Sequence, residues 1–199
     1  MTANIILASE SPLAELLLKN AGIIAELQAI DLDDEALEAP LVETGSSPED
    51  IALVVAEAKA TAISERNPGA VVLGCKQILS LDDDILRAPA DMDEGRRRLL
   101  LLSNRTHQVN SAAAVARDGN ALWRHVGVAR LTMCRLDPPY ISRYLARVGP
   151  SALQSAGVYR IDGEGVQLFT EIDGDYFTIV GLPLLAVLAE LRRLQVIAC

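Results

Sequence analysis

Ser9 and Ser11 are the first residues whose type and spacing could do chemistry. They flank a hydroxyl-rich turn, Ser9-Glu10-Ser11-Pro12, between the apolar run Ile5 to Ala8 and a stretch in which Leu13, Leu16 and Leu17 recur at helical spacing until Gly22. Ser11 suits an N-cap, and Pro12 suits the first helical position, where its missing N–H costs nothing. A strand running through such a turn presents free backbone N–H groups beside two hydroxyls. That arrangement reads as an ordinary capped strand-to-helix turn before it reads as a phosphate cradle. Four carboxylates in five residues, Asp31-Leu32-Asp33-Asp34-Glu35, read either as a solvated loop or as oxygen ligands for a hard divalent cation. Lys76 and Gln77 follow the apolar run Ala70 to Leu73 with Gly74-Cys75. They therefore stand at the carboxyl end of a buried strand, where α/β folds bind ligands. Arg96-Arg97-Arg98 reads as an exposed helix face rather than a phosphate clamp.

These residues need elements to position them. After the first strand and helix, Ala25 to Ile30 reads as a second strand. An Ala-rich helix runs from Ser46-Ser47-Pro48-Glu49 to about Arg66 and closes at Asn67-Pro68-Gly69. The strand ending at Cys75 leads to a small hairpin, Ile78 to Leu86, and then to a helix carrying the three arginines. Two long β runs, Val109 to Ala116 and Ala121 to Met133, flank Arg117-Asp118-Gly119-Asn120, a strong hairpin turn. A helix from Asp137-Pro138-Pro139 through Arg147, an irregular Gly-containing region from Ala156 to Gly163, a strand from Val166 to Ile172 and a last helix from Gly181-Leu182-Pro183-Leu184 through Leu194 complete the order. The class is mixed α/β.

The composition narrows the functions. At 199 residues the chain makes one domain, or two lobes around a cleft. Half the residues are hydrophobic but only 4% aromatic, so the core is built from Ala, Val, Ile and Leu. A net charge of −9 argues against nucleic-acid or membrane-surface partners. Apolar stretches are broken by charge well before the ~20 residues that a membrane span needs, and no basic-then-apolar signal opens the chain. Three unpatterned cysteines imply neither a disulfide scaffold nor a zinc site, so the expected home is the reduced cytoplasm.

Spaced motifs add a resemblance. L-A-S-x-S-P-x-x-x-L-L at Leu7 to Leu17, A-x-x-K-A at Ala56 to Ala60, S-x-R-T-H at Ser103 to His107, A-G-x-Y at Ala156 to Tyr159 and G-D-Y-x-x-x-V-G-L-P-L at Gly174 to Leu184 occur in the order seen in Maf proteins. The resemblance covers nearly the whole chain, as a single domain over residues 1–199. It implies an elongated mixed sheet with flanking helices and two lobes around a central cleft. It also implies cleavage of nucleoside triphosphates to monophosphate and pyrophosphate with a divalent cation (Mg or Mn), commonly in homodimers, and a link to septum formation. By that resemblance Ser9 and Ser11 are phosphate-loop hydroxyls, Lys59 contacts the triphosphate, Arg105 and Thr106 form the R-T pair, Asp175 is the G-D-Y acid, and Asp34 or its neighbour Asp33 is the metal-side acid.

The departures concern catalysis. The family's G-A-D-T reads Gly74-Cys75-Lys76-Gln77 here, so Lys76 occupies the place of the catalytic or metal-binding Asp. The arginines expected after S-P are Leu13 and Ala14, G-K-P is Arg87-Ala88-Pro89, and K-A-G is Ser155-Ala156-Gly157. A charged ammonium neither ligates a divalent cation nor accepts a proton. Loss of a general base costs ~10²–10⁴ in rate. Two expectations follow: a pyrophosphatase of weak or altered activity with Lys76 as an electrostatic clamp, or a non-catalytic relative that binds nucleotide or a protein partner, as in cell division. In the plainest case Lys76 merely pairs with Asp175 or with the acids of Asp31 to Glu35.

Overall fold

The computed structural model describes residues 4–9, 11–30 and 32–198, so Glu10 and Asp31 lie outside the described residues. A seven-stranded mixed sheet flanked by helices carries the chain. Strand β1 (Ile5–Ala8) is entirely apolar and pairs in parallel with β2 (Glu26–Leu27) on one side and β3 (Val71–Leu81) on the other. A continuous apolar run is what a parallel strand covered on both faces requires. The strands follow the order β2-β1-β3-β5-β6-β7, with β4 (Asp84–Leu86) paired to β3 off that path. β5 is Thr106–Arg117, β6 is Asn120–Met133 and β7 is Phe169–Asp173. β5 and β6 meet through Asp118 and Gly119, both at positive φ, which matches the twist of a two-residue hairpin turn.

The chain forms two compact units, one of Met1–Gln77, Asn110–Val128 and Asp175–Cys199, the other of Ile78–Val109 and Ala129–Gly174. In the first, alternation along β1 and β3 sorts side chains to two faces. Ile5, Leu7, Val71, Leu73 and Cys75 join a core with α1 (Pro12–Asn20) and α7 (Leu184–Arg193). Ile6, Ala8 and Val72 pack on the other face with Ile63 of α3 (Pro48–Arg66). Gly74 belongs to that second face. A Cβ there would lie 2.2 Å from the Ala56 carbonyl oxygen and 2.8 Å from the Ala60 nitrogen, so α3 rests directly on the β3 backbone. Ser11 caps α1 and Ser47 caps α3, each followed by Pro. Between them lies α2 (Asp34–Glu43), begun by the Asp33 cap, where the acidic run alone reads as loop.

In the second unit α4 (Met92–Leu102) packs on α5 (Pro138–Val148), whose cap Asp137 accepts from the Tyr140 N–H at 2.7 Å. His107, on β5, is buried and its Nε2 lies 2.8 Å from the Tyr159 hydroxyl. Phe169 stacks edge-on against Tyr159 with ring centroids 4.8 Å apart. Gly157 has no Cβ because one would sit 2.1 Å from the Tyr159 ring. The T-H and A-G-x-Y motifs are thus two halves of one buried contact.

Other elements also differ from the sequence expectation. β2 keeps only Glu26 and Leu27, both exposed at the sheet edge. β3 does not end before Lys76 but continues to Leu81, because Ile78, Leu79 and Leu81 supply a second buried run beyond the polar pair. Glu164–Leu168 coils as a 3₁₀ turn before β7, and a short helix, α6 (Tyr176–Val180), precedes α7.

Two measurements check this packing. G74A has no room for its methyl group without moving the α3 backbone, so it should destabilise by about 3 kcal/mol in urea unfolding. Burial pushes the His107 pKa down from 6.5 to about 4. The unfolded chain therefore takes the proton first, and this contribution to stability is complete above about pH 6.5 and is lost as pH falls towards 4. The loss should approach about 3 kcal/mol at 1.36 kcal/mol per pKa unit. H107Q should flatten that part of the stability–pH curve; an unchanged slope would refute the assignment.

Candidate functional site

Alternation along β3 aims Lys76 at the α3 face, two residues beyond Gly74 and four beyond Val72. Helix α3 brings Lys59 to the same face. Ala56 and Ala60 are fully buried and rest on Gly74, and the A-x-x-K-A spacing carries Lys59 between them. Helix α2 adds Asp34 and Glu38, four residues apart and therefore on one helix face.

The four side chains form one charge cluster. Lys76 Nζ lies 2.6 Å from Glu38 Oε1 and 2.9 Å from Asp34 Oδ2, and Lys59 Nζ donates to the same Asp34 oxygen at 2.8 Å. The Glu38 side chain is only 1% exposed, against 16% for Lys76 and 27% for Asp34. Burial alone would raise the Asp34 carboxyl, but the hydrogen bonds from Lys59 and Lys76 outweigh it and hold the group below its ordinary value. Burial alone would lower the Lys76 ammonium; its bonds to Glu38 and Asp34 outweigh that and push it up. Lys76 is therefore a fixed cation at neutral pH, and Asp34 is a weak proton acceptor. Burial also pushes the neighbouring Cys75 thiol up, so it stays protonated and is no nucleophile.

Ser9 follows Ala8, whose register partner is Gly74, so the serine turn lies level with Cys75 and Lys76. Ser9 Oγ accepts from the Ser11 N–H at 3.1 Å, and Ser11 Oγ accepts from the Ala14 N–H at 3.4 Å. Both hydroxyls thus shape the start of α1, whose first-turn N–H groups form a positive end. Asp175 caps α6, accepting from the N–H groups of Phe177 at 2.9 Å and Thr178 at 3.1 Å and from the Thr178 hydroxyl. Gln77 ties α6 to β3 through the Thr178 and Ile179 carbonyls at 3.2 and 3.0 Å. Arg105 and Thr106 belong to the other unit. There Arg105 pairs with Asp82 at 2.7 Å, and the Thr106 hydroxyl meets that of Thr132 at 2.9 Å.

Lys76 therefore pairs with Asp34, within the acidic stretch, and with Glu38, a residue that sequence reasoning missed. The available signal was Glu38 standing one helical turn after Asp34, once α2 is read as a helix. Among the described residues no three His, Cys, Asp or Glu side chains gather as metal ligands do. The two carboxylates that converge are already engaged by ammonium groups, so these residues do not fit a divalent cation.

The sequence matches the family model described as Maf-like protein over residues 4–194. It is 62% identical over 197 residues to a protein of Mesorhizobium japonicum named 7-methyl-GTP pyrophosphatase, covering 99% of each chain. A Brucella abortus protein of the same name is 58% identical, with 97% of each chain covered. A Roseobacter denitrificans protein named nucleoside triphosphate pyrophosphatase is 42% identical, with 96% of each covered. No described helix is long and apolar enough to cross a membrane.

The charge cluster makes a quantitative demand. K76M leaves Glu38 buried without its cation and should cost ~3–5 kcal/mol of stability, whereas K76M/E38M, which removes both partners, should recover most of that loss. A double-mutant cycle in urea showing independent, additive losses would contradict the pairing.

Proposed function

The chain belongs to the Maf-like protein family, and on that premise we propose that it is a nucleoside triphosphate pyrophosphatase of weak or altered activity, with a 7-methyl-GTP-like nucleotide as substrate. The reaction hydrolyses the bridge between the α- and β-phosphoryl groups and yields the monophosphate and pyrophosphate. The observation that carries this reading is the convergence of Lys59 and Lys76 level with the capped start of α1, in a chain that matches relatives of that name end to end. Backbone N–H groups and serine hydroxyls at the start of α1 hold phosphoryl oxygens. The two ammoniums offset phosphate charge. Asp34 accepts a proton from water poorly, because both lysines hold its pKa down; that is the physical ground for slow turnover. A buried unpaired Cys75 suits a reducing cytoplasm.

The second reading, a non-catalytic nucleotide-binding regulator, is favoured by the same engagement of Asp34 and Glu38 with Lys76. One experiment separates the two. Pyrophosphate release is followed over a nucleotide panel that includes 7-methyl-GTP, for the wild type, K76D and K76D/L13R. Slow release is expected from the wild type and from K76D. The double variant should exceed both by at least ~10², since it regains an acid on β3 and a cation in the first turn of α1. Wild-type turnover at an ordinary enzyme rate would overturn the assignment to Lys76 of a catalytic cost. Nucleotide binding with no release from any variant would leave the regulator.

A further inference from the structure

We infer that the Lys76 ammonium is the resident cation of this site, occupying the two carboxylates that a divalent ion would need, so that the site operates without a divalent metal. This deepens the pyrophosphatase reading by naming its cation requirement, and it rests on the cluster itself rather than on turnover.

The geometry carries the inference in three steps. Among the described residues, Asp34 and Glu38 of α2 both meet Lys76 of β3, at 2.9 and 2.6 Å. A hard divalent cation takes six or more oxygen ligands, usually with several charged carboxylates among them, and an ammonium supplies none. With Lys59 on the second side of Asp34, the cluster holds two ammoniums and two carboxylates and is neutral. An entering divalent ion would therefore find both carboxylates already engaged and would have to displace a covalently tethered cation. Expelling Lys76 would also strand its ammonium in a setting where its side chain is only 16% exposed.

The cluster also explains why a lysine is tolerated here. Glu38 is almost fully buried, and a buried carboxylate must have a partner. Lys76 supplies that partner permanently, where a metal would supply it only when bound. Its elevated pKa keeps it charged throughout the neutral range.

The test uses Mn²⁺ alone, without nucleotide, on the wild type, D34N, K76D and K76Q, reading Mn²⁺ binding by paramagnetic resonance and the thermal midpoint beside it. Wild type should show no stabilisation by millimolar Mn²⁺ and no binding that D34N abolishes. K76D turns the neutral cluster into one with two net negative charges, the complement of a divalent ion. It should bind Mn²⁺ at least about tenfold more tightly than wild type, with a midpoint that rises on adding the ion. Wild-type binding lost in D34N would overturn the inference, as would a folded K76D with no gain. If K76D does not fold with or without Mn²⁺, K76Q decides: tighter binding than wild type supports the inference, and equal binding refutes it. Because no nucleotide is present, failure here is distinct from failure of the pyrophosphatase reading.

Discussion

Helix α3 meets strand β3 with no side chain between them at Gly74, and this close approach governs the first unit. It requires Ala at positions 56 and 60, since larger residues would lift the helix off the strand. It also brings Lys59 and Lys76 onto the same face of one short stretch of sheet. Two ammoniums so placed would repel unless carboxylates lay between them. Asp34 and Glu38 fill that role, and α2 takes the position that puts them there. Backbone proximity therefore leads to charge proximity, and charge proximity to the placement of a helix.

Several motif residues hold the fold. His107 and Tyr159 close a buried contact across 52 positions of sequence, and Gly157 makes space for the tyrosine ring. Asp175 ends an extended segment by capping a five-residue helix. Among the described residues of the first unit, the groups placed for chemistry are the serine turn, Lys59, Lys76 and Asp34. Both lysines in that set are balanced by Asp34 and Glu38, and Asp34, held by both, is a poor base.

Strong local signals in the sequence correspond to elements of the fold. Ser11-Pro12 starts α1, Ser47-Pro48 starts α3, Asp118-Gly119 turns the hairpin and Asp137 with two prolines opens α5. The failures share a cause. Asp33-Asp34-Glu35 resembles a solvated loop, and α2 contains Pro40 and fully buries only Glu38, so its short Leu37–Leu41 stripe is a weak helix signal. Lys76-Gln77 resembled a strand end because polarity interrupts an apolar run, whereas the strand merely exchanges one kind of partner for another, α3 and α2 for Gln77's carbonyl contacts. Pairing between distant charges is a tertiary fact, and periodicity carries no trace of it.

Helix α2 has an unusual attachment for a helix of ten residues. Its one fully buried side chain is the Glu38 carboxylate, Leu37 and Leu41 are only part-buried, and Pro40 removes one of its internal hydrogen bonds. Part of its hold on the molecule is therefore ionic, through two carboxylates on one face. Such an element opens as a unit at lower free energy than strands sealed by apolar packing. Its amides would exchange with solvent hydrogen well before those of β1 and β3. A polyanion drawn to the Lys59 and Lys76 ammoniums would compete directly with the ion pairs that tie α2 to α3 and β3.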